Sequence, residues 1–290
     1  MFTTILTARP GALDPALAHS LRNAWGGGEV RWLAPDEAAE FDIATRPGNL
    51  AETWEGVQTM DVDLNVLPAE GRRKKMLLAD MDSTMIEQEC LDELADHVGV
   101  GDRVKAITAR AMNGELDFEE AIDARVALLE GQPDSIIETV LESRITLMPG
   151  GPALLATMKA NGAHAALVSG GFTAFTDAVA RRLGFDEHRA NTLLAKDGVL
   201  TGRVARPVLG REAKVEALEE ITARLGLAPD DVLAVGDGAN DLGMLGRAGL
   251  GVALHAKPAV QAACPVRVNF CDLTALLYLQ GYAKDAFVAA

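Results

Sequence analysis

The residues best equipped for chemistry lie in Asp80-Met81-Asp82-Ser83-Thr84, directly after the apolar run Met76-Leu77-Leu78-Ala79. Extended backbone sends alternate side chains to one side, so Asp80 and Asp82 leave a buried strand together and meet solvent at its carboxyl end. Two close carboxylates divide labour. One stays ionised beside a cation as ligand and nucleophile, while the other takes a raised pKa and carries a proton in and out. The same pentapeptide also suits a polar turn that caps a helix, and taken alone it does not separate the two readings. A calcium loop is excluded, because its sixth position is Met85 instead of glycine and its twelfth is Leu91 instead of glutamate.

Further runs supply complementary groups. In Gly236-Asp237-Gly238-Ala239-Asn240-Asp241, Asp237 and Asp241 offer oxygen ligands, or support behind the ligands, for a hard cation such as Mg²⁺. The run begins like a dinucleotide-binding fingerprint, yet Asp241 stands where the third glycine belongs and its charge repels a pyrophosphate. Ser169-Gly170-Gly171 lacks the glycine two places before the serine that a hydrolase elbow requires, which makes Ser169 a poor nucleophile. Its hydroxyl and the amides that follow, beginning with Gly170, suit a phosphate oxygen. Lys214 opens an amphipathic helix running to Leu225. A lysine there is ordinarily a solvated helix residue, but a phosphoryl-transfer site needs a fixed cation to balance the transferring group.

These groups have to be positioned by strands. Met76 to Ala79, Ala165-Ala166-Leu167-Val168 and Val232-Leu233-Ala234-Val235 are apolar runs separated by amphipathic helices, the mark of a parallel sheet covered on both faces. Each ends in one of the polar or glycine-rich turns described above, and ligands of open α/β sheets sit outside the carboxyl ends of strands, so the turns are expected to converge. The segment from about 87 to 148 reads as helices, with Ile107, Met112, Ile122, Val126 and Leu129 at apolar positions. It is longer than one crossover helix and is expected to form an inserted cap. Lys196-Asp197-Gly198, between Asn191 to Leu194 and Val199 to Val204, signals a hairpin.

Residues 1–71 alternate strand-like pieces around Phe2 to Leu6, Val30 to Trp32 and Val62 to Leu64 with a helical pattern from Leu13 to Trp25, a small α+β domain. Gly71-Arg72-Arg73-Lys74-Lys75 reads as a solvated linker, and the boundary is placed there, with residues 72–290 as the main domain. The formal charge of −15 and pI near 4.8 oppose nucleic acid as a partner, since phosphate backbones are bound by clustered Lys and Arg. Every apolar run is broken before the roughly 18 residues of a membrane span, and the start lacks the basic flank of a signal peptide. Cys90, Cys264 and Cys271 are odd in number and form no Cys-x-x-Cys, which suits reduced thiols. A cytoplasmic protein with neither membrane nor nucleic-acid partner is expected.

In this order and context the four motifs resemble the haloacid dehalogenase superfamily, specifically its branch that hydrolyses O-phosphoserine; the similarity covers about Met76 to Leu277. The resemblance implies an α/β fold, a Rossmann-like parallel sheet with an inserted helical cap beside the small N-terminal α+β domain. It implies that Asp80 attacks phosphorus to form an aspartyl-phosphate, and that Asp82 protonates the leaving alkoxide and then activates water. Mg²⁺ would be held by Asp80, the Asp82 carbonyl and Asp237, with Asp241 behind them, while Ser169, Gly170, Lys214 and Asn240 bind the substrate's phosphoryl end. In the cap, Glu89 and Arg125 would read the amino and carboxylate groups, consistent with a zwitterion needing one anion and one planar cation. Met112 and Phe118 would close over them. A phosphotransferase, or a phosphatase of another small amino-acid phosphate such as phosphohomoserine, stays open, as does a non-catalytic binding protein on the same fold. For residues 1–71, regulation, packing and homodimerisation all stay open.

Overall fold

The computed structural model describes residues 1–112 and 115–289. The chain begins with β1 (Phe2–Ala8), α1 (Pro15–Ala24), β2 (Arg31–Ala34), β3 (Ala38–Ile43), α2 (Leu50–Gln58) and β4 (Val62–Pro68). Asp14 caps α1, its carboxylate accepting from the Ala16 amide at 2.8 Å, and Pro15 sits in the first turn, where a missing N–H costs nothing. The strands form an antiparallel sheet in the order β2-β3-β1-β4. Leu6, Ala8, Leu13, Ala18, Val57, Val62 and Leu64 form the core between sheet and helices.

Two of these elements, β3 and α2, exceed the pieces expected from the sequence. For β3, the acidic residues on it and beside it explain why. Glu40 of β3 is buried, and its carboxylate meets Arg72 at 2.7 Å and Arg31 at 3.0 Å. Glu37, just before β3, accepts from the Tyr278 hydroxyl at 2.7 Å and pairs with Lys284. On β4, buried Asp63 accepts from the amides of Asn269, Phe270 and Cys271 at 2.8, 3.1 and 3.3 Å. Burial pushes its pKa up and the three N–H groups oppose that rise. Asn65 exchanges two hydrogen bonds with the backbone of Arg267.

After β5 (Met76–Ala79) come α3 (Cys90–His97), α4 (Gly101–Met112), α5 (Phe118–Val126), a 3₁₀ turn at Ala127–Leu129 and α6 (Ile136–Ser143). Then follow α7 (Gly151–Ala160), β6 (His164–Phe172), α8 (Thr173–Leu183) and β7 (Glu187–Asn191). The rest comprises β8 (Leu193–Lys196), β9 (Val199–Val204), α9 (Glu212–Leu225), β10 (Val232–Gly236), α10 (Leu242–Arg247), β11 (Leu250–Leu254), α11 (Pro258–Ala263), β12 (Val266–Val268) and α12 (Ala275–Leu279). Six strands make a parallel sheet in the order β12-β11-β10-β5-β6-β7. Every residue of β5 and β10 is buried, which is why both read as continuous apolar runs instead of alternating ones.

Two local details differ from expectation. The chain does not turn at Ser169-Gly170-Gly171 but stays in β6 through Phe172, with the register to β7 slipping between Val168 and Phe172. The hairpin is β8-β9, with Asp197 and Gly198 at φ 53 and 78°, whereas Asn191 closes the separate strand β7. By packing, residues 1–78, 149–165 and 218–290 form one compact unit, and residues 79–148 with 166–217 form a second.

Candidate active site

The second unit holds most of the residues singled out from sequence. Asp80 follows β5 and is buried. The backbone then folds back at once: the Met81 carbonyl accepts from the amides of Thr84, Met85 and Ile86, and Ser83 sits at φ 53°. Left-handed backbone is uncommon for a residue with a side chain and marks a position held by its surroundings. The Ser83 hydroxyl donates to Glu89 Oε1 at 2.8 Å.

Lys214, on α9, is 1% exposed, and its Nζ lies 2.7 Å from Asp80 Oδ1. A buried ammonium persists only beside a compensating charge, so the pair fixes both side chains. Asp82 points its Oδ1 at the Cys90 amide in the first turn of α3, 3.3 Å away. Its carboxyl sits deep, and burial, with repulsion from Glu89, pushes its pKa up to about 7. A carboxylic acid near neutrality can both give and take a proton. Ser169 is buried, and its Oγ accepts from the Gly171 amide at 2.9 Å. Gly171 has no room for more: a Cβ there would stand 3.0 Å from Asp82 Oδ2 and 3.1 Å from Ser169 Oγ. The glycine thus lets the end of β6 approach the Asp82 carboxyl.

A second group stands around the helices that follow. Glu89 occupies the N-cap position of α3. Arg125, on α5, is half-buried, and its Nε donates to the Ala121 carbonyl at 3.1 Å. Burial lowers its pKa, opposed by the nearby charges of Asp92, Glu89 and Asp82 in that order. The structure therefore brings Glu89, Arg125 and Asp82 within electrostatic reach of one another. Asp92 was missed in the sequence; its charge acts on Arg125 from a different helix, which only the fold reveals. Phe118 opens α5, capped by Asp117 and Glu120 in a reciprocal box, and remains 41% exposed. Its ring edge lies 3.5 Å from where a Gly170 side chain would begin and 3.7 Å from the corresponding point at Gly210. Met112 ends α4, but its side chain, like Asn113 and Gly114, lies outside the described residues.

In the first unit, the turn after β10 carries the remaining acids. Asp241 is fully buried, and its Oδ2 accepts from the Gly238 amide at 2.9 Å. Side chains at Gly236 and Gly238 would collide with Asp241 and Asn240, at 2.3 Å in each case, so the glycines here make way for acidic and amide groups. Asp237 is half-buried in the same turn. Asp237 and Asp241 in this unit, and Asp80 in the second, each offer a carboxylate oxygen of the kind that can hold a cation. Carboxylate oxygens alone, with no thiolate or imidazole, fit a hard divalent ion.

The sequence profile of the haloacid dehalogenase-like hydrolases matches residues 77–246. Among characterised relatives, a phosphoserine phosphatase of Streptomyces coelicolor is 41% identical over 88% of this chain and 63% of its own length. This chain thus spans less than two thirds of that relative. A phosphoserine phosphatase of Albidiferax ferrireducens is 47% identical over 71% of this chain and 89% of its own. The crystal structure of a haloacid dehalogenase family hydrolase from Salmonella enterica serovar Typhi superposes with a TM-score of 0.87 at 30% identity, covering 98% of this chain and 99% of that one.

Proposed function

The chain belongs to the haloacid dehalogenase-like hydrolases, and from that premise we propose that it is a phosphomonoesterase that hydrolyses O-phospho-L-serine to L-serine and phosphate. The buried pair of Asp80 Oδ1 and Lys214 Nζ, 2.7 Å apart, carries this reading. A carboxylate held ionised by a hidden cation is a nucleophile with an electrostatic partner for an incoming dianion.

In this mechanism an Asp80 oxygen attacks phosphorus in line with the serine oxygen, forming an aspartyl-phosphate as the ester P–O bond breaks. Asp82 gives its proton to the departing serine oxygen. It then takes a proton from water, whose oxygen attacks phosphorus and releases Asp80 and phosphate. The pKa of Asp82, pushed up to about 7, suits both halves. Ser169, Gly170 and Lys214, with Asn240, hold the phosphoryl oxygens throughout. The residues that would hold a metal are Asp80, the Asp82 carbonyl and Asp237, supported by Asp241; Mg²⁺, when bound, would supply charge neutralisation on the transferring group.

Glu89 and Arg125 read the ammonium and carboxylate of serine, with Phe118 closing over them. Residues 1–71 form a small α+β domain with a regulatory or dimerising role, residues 72–290 carry the catalytic fold with its cap at about 87–148, and the protein works in the cytoplasm at the last step of serine biosynthesis. No helix among the described residues is long and apolar enough to cross a membrane.

The deciding experiment is a phosphomonoester panel with purified protein and Mg²⁺. Phosphate release from phosphoserine should exceed that from phosphothreonine, phosphoglycerate and sugar phosphates by at least about 10-fold, the scale of one well-read functional group. Equal rates across the panel overturn the substrate assignment. A new phosphoester formed when homoserine is added identifies a phosphotransferase instead.

A further inference from the structure

Asn191 has no place in the chemistry above, yet its side chain is among the best-connected in the second unit. It ends β7, is 2% exposed, and makes three hydrogen bonds. Nδ2 donates to the Gly170 carbonyl at 2.9 Å and to the Leu209 carbonyl at 3.2 Å, while Oδ1 accepts from the Leu209 amide at 2.7 Å. Both amide protons are used, and the carboxamide pairs with the backbone of Leu209 as a neighbouring strand would.

The two backbones joined in this way are the ones that matter for phosphoryl binding. Gly170 follows Ser169 where β6 slips its register against β7. Leu209 lies in the segment that leads into α9 and Lys214. Ladder hydrogen bonds do not hold this part of β6 to β7 between Val168 and Phe172, so a side chain does so in their stead. We propose that Asn191 is a positioning residue of the phosphoryl site: its carboxamide sets the separation between the Ser169 hydroxyl and the Lys214 ammonium. This inference rests on the proposed phosphatase reading. It adds that two groups on different elements are held in register by a third that touches neither substrate nor metal.

No other residue type satisfies the same three atoms. Aspartate keeps the size but sets a carboxylate against two carbonyl oxygens, and alanine leaves buried donors and acceptors unpaired. Asn191→Asp and Asn191→Ala should therefore lower kcat/KM about 10- to 100-fold, the cost of a misplacement near 1 Å. The loss should be the same for phosphoserine and for p-nitrophenyl phosphate, because both present the same phosphoryl group. Thr176→Val is the control: Thr176 is buried and joins α8 to His188 of β7 at 2.9 Å, away from both backbones. It should lower the melting temperature while kcat/KM stays within about 2-fold, as expected for a change remote from the reacting atoms.

Asn191 variants that keep wild-type kcat/KM below their melting temperature overturn the proposal. So does a loss confined to phosphoserine, which belongs to the cap. Should neither variant fold, Asn191→Ser and hydrogen exchange decide: the Leu209 amide should be protected in the wild-type protein and exchange faster in the serine variant, and an amide unprotected in the wild type overturns the proposal. A wild-type protein that cleaves no phosphomonoester at all refutes the phosphatase reading itself, separately from the Leu209 protection.

Discussion

The groups around Asp80 and those around Arg125 belong to the same compact unit but are built in opposite ways. Asp80, Ser169 and Lys214 are at most 5% exposed and are tied to strand ends or to each other. Arg125 is half-buried and Phe118 and Glu89 are exposed, all on or beside the short helices α3 and α5. A buried charge must be matched and rigid, whereas an accessible one can admit and release a ligand. The difference fits the proposed division, in which the first set makes and breaks bonds and the second discriminates among substrates.

Substitutions can break this division. Asp80→Asn should abolish turnover, a loss on the order of 10⁴-fold or more as for other nucleophile deletions, on phosphoserine and aryl phosphate alike. Residual selective cleavage of phosphoserine would place the nucleophile elsewhere. Lys214→Met should cost about 10²- to 10³-fold in kcat on both substrates. Because it removes one member of a buried pair, it should also lower stability by roughly 3–5 kcal/mol, read as a shift in the denaturation midpoint. Arg125→Ala should raise KM for phosphoserine about 10- to 100-fold, the worth of a charged hydrogen-bonded pair, with p-nitrophenyl phosphate nearly unaffected. An equal loss on both would move Arg125 into the chemical set. Ser83→Ala, which frees Glu89, should raise the phosphoserine KM by only about 3- to 10-fold, one neutral donor's contribution, without changing the aryl phosphate rate.

The first set was legible in the sequence and the second only in part. Met76 to Ala79 and Val232 to Val235 announce themselves because strands covered on both faces have no polar side to show. Asp80, Asp82 and Asp237 then stand out as the first charges after such runs. Lys214 was chosen from position alone, and its burial beside Asp80 supplies the reason. By contrast Asp92 acts on Arg125 from a different helix, and Asn191 bonds to backbones remote in sequence. No local pattern carries such pairings. The same holds for β3, whose Glu40 looks like a loop residue until Arg31 and Arg72 are seen to neutralise it. The glycines of Ser169-Gly170-Gly171 suggested a turn, yet at Gly171 the requirement is clearance for Asp82 within a continuing strand.

The bonds from Asp63 to the amides of Asn269, Phe270 and Cys271 have a consequence for synthesis. Translation at roughly 5–20 residues per second leaves that carboxyl waiting for roughly 10–40 seconds before its partners leave the ribosome. The unit containing β1 to β4 also needs residues 149–165 and 218–290. During that interval the nascent chain carries an unfinished apolar surface, a stage at which chaperones engage and at which slower codons near the end would prolong exposure. β12 is therefore a late-made strand on which the earlier-made β4 depends.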